Sequence, residues 1–97
     1  MLQAPESGGE FEYVPGIRHR DDEEAVLSRV LDGDSRETRQ LPFTTGTLLI
    51  FNGQHTLHRV TRVTGSRARL VPVLCFSEQP GMINSDEVRK YFWGRTA

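Results

Sequence analysis

Little in this sequence commits it to secretion, a membrane or a nucleic acid. One cysteine, Cys75, rules out an internal disulfide and a multi-thiolate zinc site. Its place in the run Val73-Leu-Cys-Phe76 predicts a buried core thiol. Long hydrophobic stretches are lacking: runs such as Leu48–Phe51 fall far short of the ~20 apolar residues that span a bilayer. Residues Met1 to Ser7 carry neither the charged nor the apolar region of a signal peptide, so the expectation is a cytoplasmic protein that does not enter a membrane. An excess of one charge is lacking as well. Twelve basic and 13 acidic residues leave a net charge of -1, and nothing favours phosphate backbones or anionic lipid as partners. No internal repeat or low-complexity tract occurs.

What remains is one small domain. At 97 residues, with 36% hydrophobic and 26% charged residues, the chain sits low in the size range where a single core is comfortable. Gly8-Gly-Glu-Phe-Glu-Tyr-Val-Pro15 reads as a glycine turn into a short strand with Phe11 and Tyr13 on one face and Glu10 and Glu12 on the other. Asp22 to Leu31 places Val26, Leu27, Val30 and Leu31 at helical spacing behind acidic residues suited to a helix start, with Gly33 as a stop. Asp21 to Glu24 is read as cap and solvated face, because neighbouring carboxylates on a helix diverge.

From residue 40 the pattern turns to β. Thr44–Phe51 is apolar on both faces, as a strand covered from both sides would be, and Asn52-Gly53 predicts a turn into a partner strand, His55–Val60. Gly65-Ser66 turns the chain again into a strand over Arg67–Phe76, whose Arg67, Arg69, Val71, Val73 and Cys75 share a face, with Pro72 marking an edge or bulge. Ser85, acidic first-turn residues and the Val88/Phe92 pair predict a terminal helix to Trp93. Phe11, Tyr13, Phe51, Phe76 and Phe92 are expected in the core.

Four motifs, taken in order, suggest a family: Gly8-Gly-Glu-Phe11 with its closing Pro15-Gly16, Gly46-Thr-Leu-Leu-Ile-Phe51, Leu57-His-Arg-Val60 and Gly65-Ser-Arg67. Together they resemble the C-terminal half of Fe(II)/2-oxoglutarate-dependent dioxygenases, closest to the amino-acid hydroxylase and halogenase branch. The resemblance covers nearly the whole chain. It implies a mainly β fold with two short helices, part of a double-stranded β-helix of the jelly-roll or cupin kind. It also implies Fe(II) and 2-oxoglutarate as cofactors, and hydroxylation or halogenation of a small molecule, such as an amino acid.

In such enzymes two histidines and a carboxylate hold iron on one face, leaving positions for the keto acid and dioxygen. His58 matches the second histidine. The distal carboxylate of 2-oxoglutarate needs a planar bidentate donor, which arginine supplies better than lysine. Arg67 matches by spacing, and Arg69, on the same face two residues on, is the second candidate. His55, three residues from His58, faces the other way in a strand and is expected at the surface.

The proximal His-x-Asp, or His-x-Gly in halogenases, would precede residue 1. His19-Arg20-Asp21 mimics its spelling, but follows the Gly-Gly-Glu-Phe strand where the family's motif precedes it. The expectation is therefore a C-terminal portion of the domain spanning residues 1–97, truncated at its N-terminus, inactive by itself, and open to self-association through unpaired strand edges. The alternative is a non-catalytic cupin-like module that binds a carboxylate or a partner without iron. A barrel rebuilt by strand exchange between two copies would still lack the proximal ligands.

Overall fold

Alternation in Glu-Phe-Glu-Tyr-Val produces a strand that pairs on both sides. A computed structural model describes residues 1–95, with β1 (Phe11–Val14), α1 (Glu23–Leu31), β2 (Arg39–Leu41), β3 (Leu57–Val60) and α2 (Asp86–Trp93) in chain order. The three antiparallel strands form one sheet with β1 in the middle, in the order β2-β1-β3. Phe11 faces Leu41 on one side and Val60 on the other, and Tyr13 faces Arg39 and His58.

Because side chains alternate along a strand, this register sorts the sheet into two faces. One carries Phe11, Tyr13, Val60 and His58. The other carries a polar row and then the core. Glu12 accepts a hydrogen bond from Gln40 at 3.1 Å and one from Arg59 at 2.6 Å, and one register step on, Val14 packs against Ile17 and Val26, with Val30 and Leu57 half-buried around them. Helix α1 thus covers the Glu12/Val14 face through Val26, which is 1% exposed. Asp22 occupies its N-cap position, but its side chain makes no capping bond. Arg20 claims that carboxylate instead, at 2.9 and 2.8 Å, and reaches Glu37 at 3.0 Å, tying the helix start to the segment before β2.

N-terminal to β1 the chain keeps the same partner. Thr61 N donates to Glu10 O at 2.9 Å, and isolated bridges join Ser7 to Thr64 and Gln3 to Leu70. Gly8 and Gly9 therefore do not turn the chain, contrary to expectation; they let it pass close to its neighbour. Both adopt left-handed φ angles, 72° and 68°, and a side chain on Gly8 would strike the Arg62 carbonyl. On the other side of this ribbon, Gly46 N donates to Met1 O at 2.9 Å.

Two expected elements are absent from the described residues as ladders. Thr44–Phe51 and Arg67–Phe76 form no strand beyond the Leu70 bridge, and β3, expected to pair with Thr44–Phe51, pairs with β1 instead. Strand-forming side chains need a neighbouring strand to pack on, and here the N-terminal ribbon takes β3 for itself. The consequences reach the expected core. Cys75 is exposed, not buried, and Phe51, Phe76 and Phe92 are 46%, 91% and 69% exposed, whereas Phe11 is buried and Tyr13 half-buried. Helix α2 forms as expected, with Val88 N donating to the Ser85 hydroxyl and Gly94 closing the C-terminus at φ 69°, yet it buries no residue. Leu31 is exposed as well. No helix among the described residues is long and apolar enough to cross a membrane.

Candidate functional site

His58 lies on β3 opposite Tyr13, on the face of the sheet away from α1. It is exposed, but its ring is held from three directions. Phe11 stacks on it at 5.8 Å between centroids and 18° between planes, and Phe51 meets it edge-on at 4.7 Å. Its Nδ1–H donates to the Thr56 carbonyl at 2.8 Å. A carbonyl can only accept, so in the neutral ring the lone pair sits on Nε2. A metal-binding histidine is held in this way, with one nitrogen tied to an acceptor and the other left to coordinate.

The two arginines have different surroundings. Arg67 donates from Nε to Ala4 O at 2.8 Å and from Nη2 to Pro5 O at 3.2 Å, so its guanidinium clasps the N-terminal ribbon. Arg69 is half-buried. Its guanidinium carbon stands 5.5 Å from the centre of the Phe43 ring, within reach of a cation–π contact, and its buried Nε has no hydrogen-bond partner. A charged donor enclosed without an acceptor is costly, and a bound carboxylate would relieve that cost.

The N-terminal ribbon contacts both His58 and Arg69. Phe11 stacks on His58, and two residues earlier the bare Cα of Gly9 faces the Arg69 side chain. Phe11 and Gly9 were legible as strand and glycine signals, but nothing in the sequence showed which arginine would be spent on backbone carbonyls.

The remaining metal ligands expected of an iron centre are not supplied by the described residues, which contain no cluster of three or more His, Cys, Asp or Glu side chains able to hold a metal ion. His19 is exposed at a left-handed φ of 65°, its backbone N donating to Glu23 at 3.1 Å. His55 is at the surface.

Two shallow clefts flank α1. One, about 270 Å³, opens among Arg29, Asp34, Arg36 and Glu37, charges that pair with one another. The other, about 160 Å³ and mostly apolar, runs from Val30 and Leu31 to Leu57 on β3.

Comparison with known proteins adds a family to this geometry. No curated protein and no solved structure matches the chain. A family model described as halogenase D matches residues 1–90, a span that includes β1, β3, His58 and both arginines. The chain therefore belongs to the halogenase D family.

Proposed function

We propose that this chain is the C-terminal portion of a Fe(II)/2-oxoglutarate-dependent halogenase or hydroxylase of a partial jelly-roll fold, acting on a small molecule such as an amino acid. Family membership supports a halogenase-related function. The observation that carries the finer reading is the buried, unpartnered Nε of Arg69, which suits the distal carboxylate of 2-oxoglutarate. His58 would hold the metal through Nε2. When bound, Fe(II) with 2-oxoglutarate would supply activation of dioxygen, the oxidant: one oxygen atom passes to succinate as the keto acid loses carbon dioxide, and the other ends in the product hydroxyl or, where a halide is incorporated, in water. The described residues do not complete the metal's ligand set. What the chain's own residues do is orient an imidazole and present a guanidinium over an aromatic ring.

Because Arg67 already binds Ala4 and Pro5, the cosubstrate role falls to Arg69 and a structural role to Arg67. The test is a titration of 2-oxoglutarate into the 15N-labelled 97-residue chain, followed by NMR, for wild type, Arg69→Lys and Arg67→Lys. Shifts centred on Arg69 and Phe43, lost in Arg69→Lys and kept in Arg67→Lys, are expected. A folded wild-type chain that shows no response near Arg69 at millimolar keto acid would sink the reading.

The second reading is a carboxylate-binding module that works without iron, which rests on the same buried Nε of Arg69. Repeating the titration with Mn(II), and again with a chelator, separates the two. Tighter keto-acid binding with the metal supports the oxygenase; the same affinity in both supports the module.

A further inference from the structure

Eight of the nine glycines have left-handed φ angles, and Gly53 is the exception. Backbone conformation therefore does not explain a glycine there. Its surroundings do. Gly53 sits in the turn in which His55 N donates to Asn52 O at 3.1 Å and Gln54 N to the Asn52 side chain at 3.2 Å. A Cβ at this position would stand 3.2 Å from His58 Cε1, 3.3 Å from Phe51 Cε2 and 3.8 Å from His58 Nε2. The first two approaches are tighter than ordinary carbon contacts, and they fall between the two rings that meet edge-on.

We propose that Gly53 is a positioning residue for His58: its lack of a side chain lets Phe51 close on the imidazole and keeps the Cε1–Nε2 edge open to an incoming ligand atom. Other sides of the ring are engaged. Phe11 covers one face, Phe51 stands at the edge, and Thr56 holds Nδ1. A methyl group at residue 53 would press on both rings. Where Phe51 keeps its place, the imidazole shifts from Phe11 or the Thr56 carbonyl, or the methyl stands beside Nε2, and that nitrogen is less available. The inference rests on His58 as a donor through Nε2, but it concerns access to that atom and needs no metal for its test.

The probe is diethyl pyrocarbonate, which acylates an accessible, unprotonated imidazole nitrogen. Labelling of His58 is followed by peptide mass spectrometry in wild type and Gly53→Ala, with His19 as the reference in the same chain. Long-range 1H–15N spectra of the imidazoles report which nitrogen carries the proton. The wild type should show His58 protonated on Nδ1 and readily labelled. Gly53→Ala should slow His58 labelling relative to His19 severalfold, or lose the Nδ1–H signature. Unchanged rate and tautomer in a folded Gly53→Ala chain overturn the proposal. If that variant does not fold, Phe51→Leu, which removes one of the two rings and leaves the backbone alone, must change the His58 labelling rate or weaken the Nδ1–H signature; no change in either overturns the proposal equally. Failure of the wild-type chain to bind 2-oxoglutarate would instead defeat the functional reading and leave the labelling result standing.

Discussion

Gly9 lies under Arg69: a Cβ on Gly9 would stand 2.9 Å from Arg69 Cδ, and the glycine holds a φ of 68°. Both facts oppose a side chain at this position. Gly9→Ala should cost roughly 1–2 kcal/mol for the left-handed backbone alone, measured by urea denaturation. The same variant should also displace Arg69 from the Phe43 ring and weaken its response to 2-oxoglutarate. Loss of stability with an unchanged keto-acid titration would mean that Arg69 does not depend on Gly9 for its place.

The cross-strand row Gln40–Glu12–Arg59 should couple only modestly. Glu12 is 13% exposed, but Arg59 is 72% exposed, and a pair so open to solvent is worth about 0.2–1 kcal/mol. A double-mutant cycle of Glu12→Gln and Arg59→Met should return a coupling energy in that range. The hydrogen bond from Gln40, and after it that from Arg59, holds the Glu12 carboxyl below its ordinary value of 4.5. Its contribution to stability is thus present above the unfolded value and lost as pH falls through the lowered one. Arg59→Met should move the Glu12 titration, followed by 13C NMR, back toward 4.5.

Asp34 should titrate well below an ordinary aspartate. Hydrogen bonds from the Arg36 side chain, and then from its backbone N, hold the carboxyl down to about 2 from an ordinary 3.8. A depressed folded value stabilises the fold above 3.8 and ceases to do so as the pH drops toward 2. In an acid titration watched by NMR, Asp34 should still be ionised when ordinary aspartates have protonated. Arg36→Gln should bring its midpoint back toward theirs, and an Asp34 midpoint near 3.8 in the unmodified chain would contradict the Arg36 contact.

Exposed apolar chain should make the protein associate with itself. Leu48, Ile50, Val73, Leu74 and Phe76 all stand in solvent on segments without ladder partners, the condition under which strand edges pair between molecules. Sedimentation velocity should show the average mass rising with concentration. Ile50→Lys combined with Phe76→Lys should suppress the rise, whereas a chain that stays monomeric at high micromolar concentration would show that these segments do not pair.

The elements legible in the sequence were those set by local signals. Glu23–Leu31 had acidic residues at its start and a glycine after its end, Asp86–Trp93 had a serine cap, and Phe11–Val14 alternated. Thr44–Phe51 and Arg67–Phe76 misled for one physical reason. Their Val, Leu, Ile and Phe content indicates suitability for a pleated, covered surface, and does not itself provide the neighbour that completes one. β2 escaped notice for the opposite reason, since Arg39-Gln40-Leu41 has no apolar alternation and becomes a strand because β1 needs a second partner. At the site, motif order singled out His58, Arg67 and Arg69 as candidates. The hold of the Thr56 carbonyl on the His58 ring and the contacts of Arg67 with the Ala4 and Pro5 carbonyls were not legible, because both depend on where the folded backbone places its carbonyls.

The ladder between the N-terminal ribbon and the chain after β3 contains a step. From Ser7 to Gln3 the ribbon advances four residues while its partner advances six, from Thr64 to Leu70, and the slack is the Gly65–Arg69 stretch, where Ser66 and Glu6 are joined at 2.6 Å. The excess is even. Insertions and deletions between the two bridges should therefore be tolerated unequally: removing two residues would make the two spans equal in length, whereas removing one would leave them unequal still, and only the first lets Leu70 meet Gln3 without slack.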